Sequence, residues 1–231
     1  MELHTDIAVV ILNWNGKSLF GRFLPSVLEH SHGANVSVYV ADNGSTDESV
    51  QYLKEHYPEV KVIELGQNYG FAEGYNKALA LIDAGVVVLL NSDVEVTSGW
   101  LDLCVKKLKE DPSVAAIQPK VLSYVQRDRF EYAGAAGGFL DRWGFPFCRG
   151  RILSETEEDH GQYDQPASIF WATGACMCIR SGVFHEMGGF DPDFFAHMEE
   201  IDLCWRMKNR GWKIMVEPGS VVYHLGGATL S

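Results

Sequence analysis

LLNSDVEV, residues 89–96, is the stretch on which the reading of the fold turns. It closes an apolar run, Val86 to Leu90, that reads as a fully buried strand. The run stops abruptly at Asn91, Ser92 and Asp93. All three are turn residues, and a plain loop after a strand accounts for them. The other reading is a ligand site at the carboxyl end of a parallel strand, where open α/β sheets bind small molecules. What flanks the stretch has to decide.

On either side, strands and helices alternate. Ile7–Leu12, Val36–Ala41 and Val60–Leu65 read as strands before Val86–Leu90, and Val114–Gln118 as a fifth after it. Ser18–His30 is helical, with Pro25 expected to kink or shorten it. Ser45-Thr46-Asp47-Glu48 has the S-x-x-E form of a capping box, predicting a helix from there to about Tyr57. Phe71–Asp83 carries Ala72, Tyr75, Leu79 and Ile82 at helical spacing. Trp100–Glu110 is a further helix. Strands alternating with helices of this length predict an α/β fold with a parallel sheet and right-handed crossovers.

Beyond residue 119 the pattern changes. Residues 120–165 are rich in Gly, Arg and aromatics and have no period, so loops and short strands are expected. Ile169–Ile179 reads as one strand, Ser181–Met187 as a short helix and Glu200–Arg210 as a helix ended by Gly211. Lys213–Glu217 and Ser220–His224 read as two short strands. No repeat or low-complexity linker divides the chain. A single domain over residues 1–231 is expected, a nucleotide-type half at 1–118 followed by a half at 119–231 that completes a site.

The 231 residues are 46% hydrophobic and 22% charged, ordinary for a soluble globular protein. A formal net charge of −12 argues against a nucleic-acid partner, because phosphate backbones need a basic surface. An anionic small molecule then requires a metal or helix N-termini. The five cysteines (104, 148, 176, 178 and 204) form no CxxC pair and read as buried reduced thiols, with Cys176 and Cys178 on one strand face. No signal peptide and no membrane-spanning run of 18 or more apolar residues is expected.

Polar clusters follow the strands of the first half: Asn13-Trp14-Asn15-Gly16, Asp42 to Asp47, Gln67-Asn68-Tyr69-Gly70, and Asn91-Ser92-Asp93. In a parallel sheet these ends share one edge, the pattern of a binding cleft. Polar βα loops explain any one of them, but less well an Asn or Asp directly after each strand. No G-x-G-x-x-G or G-x-x-x-x-G-K-[ST] is present, so a dinucleotide or P-loop reading is weak. Asp93 is the natural ligand for Mg²⁺ or Mn²⁺, which prefer carboxylate oxygen. In the second half, His197-Met198-Glu199-Glu200-Ile201-Asp202 puts three carboxylates at a helix start. Asp202 and Arg206 can pair at i,i+4, whereas Glu200 has Cys204 at i+4 and is freer to face a cleft. His224 ends a strand and is structural or a ligand. Trp171 is expected to be partly buried, with a face that could stack on a sugar.

Seven segments taken in order, AVVILNWNG, VYVADNGSTDES, GQNYGFAEGYN, LLNSDVEV, FWATGACMCIR, GGFDPDFFAHMEEIDLCWR and VVYHLGG, resemble the successive motifs of glycosyltransferase family 2, inverting enzymes of GT-A fold. The likeness is strongest to the rhamnosyltransferase branch and spans about residues 7–228. It implies a nucleotide-sugar-binding half at 1–118 and an acceptor- and base-bearing half at 119–231. Asn91-Ser92-Asp93 falls on the D-x-D metal motif, with Asp93 as the metal residue and Asn91 in place of the first Asp. Asp42 falls on the residue that contacts the nucleotide base, flanked by Leu12, Asn13 and Trp14. Asn68, Gly74, Asn76, Asn91 and Ser92 complete the donor side. Glu199-Glu200 falls on a Glu-Asp pair whose second member is the general base, leaving Glu200 as base and Glu199 and Asp202 as its rivals. His224 falls on a second metal ligand, and Trp171 on the acceptor side. The resemblance further implies a UDP- or dTDP-sugar donor, Mg²⁺ or Mn²⁺, and a carbohydrate or glycolipid acceptor in bacterial-type surface polysaccharide synthesis. It implies a cytoplasmic location at the inner membrane face, with peripheral membrane association through a segment past Ser231. A sugar-nucleotidyltransferase and a non-catalytic nucleotide-sugar-binding module are the rivals. The first would need a Gly-rich basic loop after the first strand, where Asn13-Trp14-Asn15-Gly16-Lys17 stands.

Overall fold

The computed structural model describes residues 6–33 and 35–226. The first half alternates as its periodicity predicts: β1 (Ile7–Asn13), α1 (Lys17–His30), β2 (Val36–Asp42), α2 (Ser49–His56), β3 (Lys61–Glu64), α3 (Gly70–Leu79) and β4 (Val86–Leu90). β5 (Val94–Val96), α4 (Trp100–Glu110) and β6 (Val114–Ser123) follow. Two small hairpins come next, β7 (Gly138–Leu140) with β8 (Pro146–Cys148) and β9 (Arg151–Ile152) with β10 (Glu155–Thr156). β11 (Ala167–Ile169), β12 (Cys176–Arg180), α5 (Ser181–Glu186), α6 (Glu199–Asn209) and β13 (Lys213–His224) complete the described chain.

The central sheet runs β11-β13-β6-β12-β4-β1-β2-β3, with β5 on the far end of β13. It is parallel from β3 through β2 and β1 to β4, and again between β6 and β13. Between those blocks β12 enters antiparallel to both β4 and β6. Each strand sends alternate side chains to opposite faces. From β1, Ala8 and Val10 join α3, α5 and α6 on one face, while Ile7, Val9 and Ile11 join α1, α2 and α4 on the other. A sheet covered on both faces explains why β4 reads as an unbroken apolar run, all of it buried. Tyr75 ties α3 to the sheet centre, its hydroxyl donating to the Val10 and Leu90 carbonyls at 3.3 and 3.2 Å. All five cysteines are free and buried.

Several element boundaries depart from expectation. Ser45 does not cap α2, which starts at Ser49 after Glu48 in a left-handed conformation. The Ser45 hydroxyl accepts instead from the Asn13 side chain and the Asn15 amide, binding two site loops together. Ile169–Ile179 is two strands, β11 and β12, on different neighbours and separated by the turn through Gly174. Conversely, Lys213–Glu217 and Ser220–His224 are one strand, with an irregularity between Glu217 and Val221 where Pro218 and Gly219 break the ladder. α3 stops at Leu79 rather than Asp83, and α1 runs through Pro25 to His30 without shortening.

Candidate active site

Asn13, Asp42 and Asn91 stand at the carboxyl ends of β1, β2 and β4, on one edge of the sheet. Much of their polarity is spent on loop architecture. The Asn13 amide donates to Asp42 Oδ1 at 3.0 Å, and Asp42 Oδ2 accepts from the Ser45 amide. Asn43 donates to Asn68 Oδ1 and to the Gly70 carbonyl and accepts from the Tyr69 amide. Gly74 lies where a Cβ would press on Asn43 and Leu12 at 3.1 Å, so α3 can approach that turn closely.

These turns frame a cavity of about 920 Å³. Leu12, Trp14, Asn43, Asn68 and Phe71 line one side; Asn91, His224 and Glu131 another; Thr173 to Ala175, Phe195 to His197, Glu199 and Glu200 the rest. The volume suits a ligand of nucleotide-sugar size.

At one wall β13 returns alongside β5, pairing His224 with Val94. That register sets His224 Nε2 at 3.1 Å from Asp93 Oδ1 and 3.4 Å from the Asn91 amide nitrogen. On its other side, His224 Nδ1 lies 3.3 Å from Glu131 Oε2. Burial alone would lower the imidazole's pKa, but the two flanking carboxylates, Asp93 and Glu131, outweigh it and raise it to about 10. Asp93 is fully buried, and its Oδ2 has no partner. An orphaned buried carboxylate oxygen beside a histidine nitrogen is a donor pair that fits a divalent cation, whose binding would displace the proton that the raised pKa keeps on the ring. Among the described residues no group of three or more His, Cys, Asp and Glu side chains is arranged around a common point. A cation here would have two protein ligands and need its remaining ones from a bound molecule.

The opposite wall carries α6. Met198, left-handed, precedes the helix, and Phe195 and His197 also have positive φ, which is unfavourable for side chains of their size. The Phe195 carbonyl caps the amides of Phe71 and Ala72 at the start of α3. Glu199 and Glu200 both face the cavity, and each keeps an Oε2 buried and unpartnered. Burial raises the pKa of both carboxyls. For Glu200 it reaches about 7, with the charge of Glu199 adding to the burial and His197 opposing it. Asp202 turns away and pairs with Arg206 at 2.6 Å, whose guanidinium also holds the Met187 and Gly189 carbonyls.

Two expected site residues lie elsewhere. Trp171 is buried with its ring against Gly138, where a Cβ would come within 2.1 Å, and its indole nitrogen donates to the Phe139 carbonyl. No ring face is left for a sugar. Asn76 clasps the Phe190 backbone through both ends of its amide, at 2.8 and 2.9 Å, and is a structural clamp. Ser92 is buried beside Gly16, and neither it nor Asn13, Asp42 or Asp93 is among the residues lining the cavity, which the Asp93–His224 pair meets through His224. Glu131 is the residue that sequence reasoning missed. It lies in the stretch without period, and nothing local marks it.

Fold and site together define a transferase of GT-A architecture. The fold matches the crystal structure of GalNAc-T7 with UDP, GalNAc and Mn²⁺ (TM-score 0.74, 19% identity, 97% of this chain and 44% of that one). It also matches a mannosyltransferase from Pyrobaculum calidifontis in complex with GDP-Man and Mn²⁺ (TM-score 0.69, 16% identity, 97% and 58%). The chain belongs to the glycosyltransferase like family 2, which it matches over residues 4–231. It is 28% identical to the N-acetylglucosaminyl-diphospho-decaprenol L-rhamnosyltransferase of Mycobacterium tuberculosis, over 95% of this chain and 76% of that protein. It is equally close, at 28%, to the pre-mycofactocin glycosyltransferase of the same organism, of which it spans 43%.

Proposed function

We propose that this protein transfers a sugar with inversion from a UDP- or dTDP-sugar to a hydroxyl of a carbohydrate or lipid-linked acceptor. The observation that carries the reading is Glu200, a half-buried carboxylate whose Oε2 has no partner, facing a cavity whose other wall holds His224 with Asp93 buried behind it. One group suits taking a proton and the other suits binding a diphosphate, so donor and acceptor would enter from different sides.

Asp93 and His224 would hold Mg²⁺ or Mn²⁺, and the ion when bound would neutralise charge on the leaving diphosphate. Support comes from two fold neighbours crystallised with Mn²⁺ and different nucleotides. Leu12 and Trp14 would flank the base. Asp42, behind this wall and off the cavity lining, would hold Asn13 and the Ser45 turn in place beside the base. Glu200 would take the proton of the acceptor hydroxyl as that oxygen attacks the anomeric carbon from the face opposite the diphosphate. A carboxylate with its pKa near neutrality is a better base than one near 4. Glu199 would keep that pKa raised. The diphospho-decaprenol in the rhamnosyltransferase relative's name supports a lipid-linked acceptor; synthesis of a bacterial-type surface polysaccharide or glycolipid at the inner face of the membrane is the setting we propose.

A panel of nucleotide-sugars assayed for transfer and hydrolysis tests this reading. Glu200→Gln should cut turnover by roughly 10²–10⁴-fold, the usual worth of a general base, with donor affinity nearly unchanged. Retained activity in that variant, with loss in Glu199→Gln, would assign the base to Glu199.

A further inference from the structure

Six of the large apolar side chains that stand exposed among the described residues fall in one segment: Tyr132, Trp143, Phe145, Phe147, Ile152 and Leu153. Trp143, Phe145, Ile152 and Leu153 crown the β7–β8 and β9–β10 hairpins, Phe147 lies within β8, and Tyr132 precedes them. The tip of the first is a fixed structure. Asp141 Oδ1 accepts from the amides of both Trp143 and Phe145, and the Asp141 and Phe145 backbones bond across the turn. Two aromatics are thereby held outward, Trp143 at 72% exposure. At the second tip Leu153 is 87% exposed and adopts a left-handed φ of 55°, a conformation that a branched side chain rarely takes.

The tips of this segment also carry basic residues, although the chain is acidic. Residues 139–153 contain Arg142, Arg149 and Arg151 against the single Asp141, whose carboxylate is turned onto its own turn. Arg142 and Arg151 have no carboxylate partner among the described residues and lie over aromatic rings, Trp143 at 4.8 Å and Tyr132 at 4.0 Å. Glu155 stands in β10 directly opposite Ile152, and Glu157, Glu158 and Asp159 follow it, so the basic character belongs to Arg142 and Arg151 at the tips and not to the whole segment. Rigid Trp, Phe and Leu tips with arginines behind them are what the boundary between lipid headgroups and acyl chains favours. Indole and phenyl rings settle at that depth, and guanidinium pairs with phosphate.

We propose that the two hairpins form a docking surface for an anionic lipid bilayer. Trp143, Phe145, Ile152 and Leu153 enter the interface, and Arg142 and Arg151 meet lipid phosphates. The surface adjoins the cavity through Tyr132, which lines it and lies under Arg151. A docked molecule would open its cavity beside the membrane. The docking surface stands whether or not the acceptor is itself a lipid.

Co-flotation of the whole chain with vesicles of equal parts phosphatidylglycerol and phosphatidylcholine tests it. Wild type should float, and the double variant Trp143→Ser/Phe145→Ser should lose at least about tenfold in partitioning at an unchanged melting temperature. Arg142→Ala/Arg151→Ala should lose binding to the mixed vesicles but not to phosphatidylcholine alone. No flotation of wild type overturns the proposal. So does flotation untouched by the tip variant. A wild-type dimer in sedimentation that the tip variant converts to monomer also overturns it, because the tips then cover a second copy.

Discussion

Asp93, His224 and Glu131 illustrate how far a single residue's role can be read before the fold is known. Asp93 announces itself, because a carboxylate directly after a buried strand has few structural excuses. His224 needed its neighbours. Glu131 is invisible in sequence, since its partner is 93 positions away in a strand that only the register of β13 brings near. A carboxylate behind a ligating histidine fixes the ring and strengthens the nitrogen in front. Calorimetry of UDP binding with and without Mn²⁺ should therefore show the metal enhancement abolished by Asp93→Asn. It should fall about 10–100-fold in Glu131→Ala, the usual cost of losing such a support. Glu131→Gln, which still accepts from the ring, should fall less. An enhancement equal in all four proteins would remove the metal from this wall.

At the scale of elements, buried strands and amphipathic helices were legible and the edges of elements were not. β4 and α4 match their predicted limits because their patterns are unbroken. α2 starts late because Ser45 serves the Asn13 and Asn15 loops, and a hydroxyl engaged there cannot also cap a helix. Ile169–Ile179 reads as one strand because its apolar residues continue through a buried turn, and apolarity does not distinguish a core turn from a core strand. Asn76 was misplaced for a related reason: a polar residue amid a site motif looks like a ligand contact. It joins α3 to the Phe190 backbone, across 114 residues. Asn76→Ala should thus cost roughly 1–3 kcal/mol, as lost buried hydrogen bonds do. Nucleotide affinity should be unchanged per folded molecule. Denaturant unfolding and calorimetry on the same sample separate the two, and weakened binding in a fully folded variant would restore Asn76 to the donor site.

For the molecule as a whole, an unpaired buried acid makes stability depend on pH in a known direction. The carboxyl of Glu200 rises from an ordinary value of 4.5 to about 7 in the fold. The folded state then holds a proton that the unfolded chain has released, so stability falls with rising pH across that interval. The penalty is absent below the lower value and complete above the upper one. Glu200→Gln has no such proton to lose. Its melting temperature relative to wild type should climb between pH 4.5 and about pH 7 and level off on either side. A constant offset between the two proteins would mean that Glu200 titrates normally.

Asp93 and His224 are 131 positions apart, and adjacent strands of one sheet bring them together. During synthesis, the β1–β4 block can emerge and pair long before β13 exists. The ion-binding pair therefore cannot form until almost the whole described chain has left the ribosome. Contacts of such sequence separation are slow to close. A nascent or misfolded first half would carry its nucleotide-side turns without the means to bind a charged diphosphate. On the proposed reading, incomplete chains would leave sugar donors alone until that contact has formed.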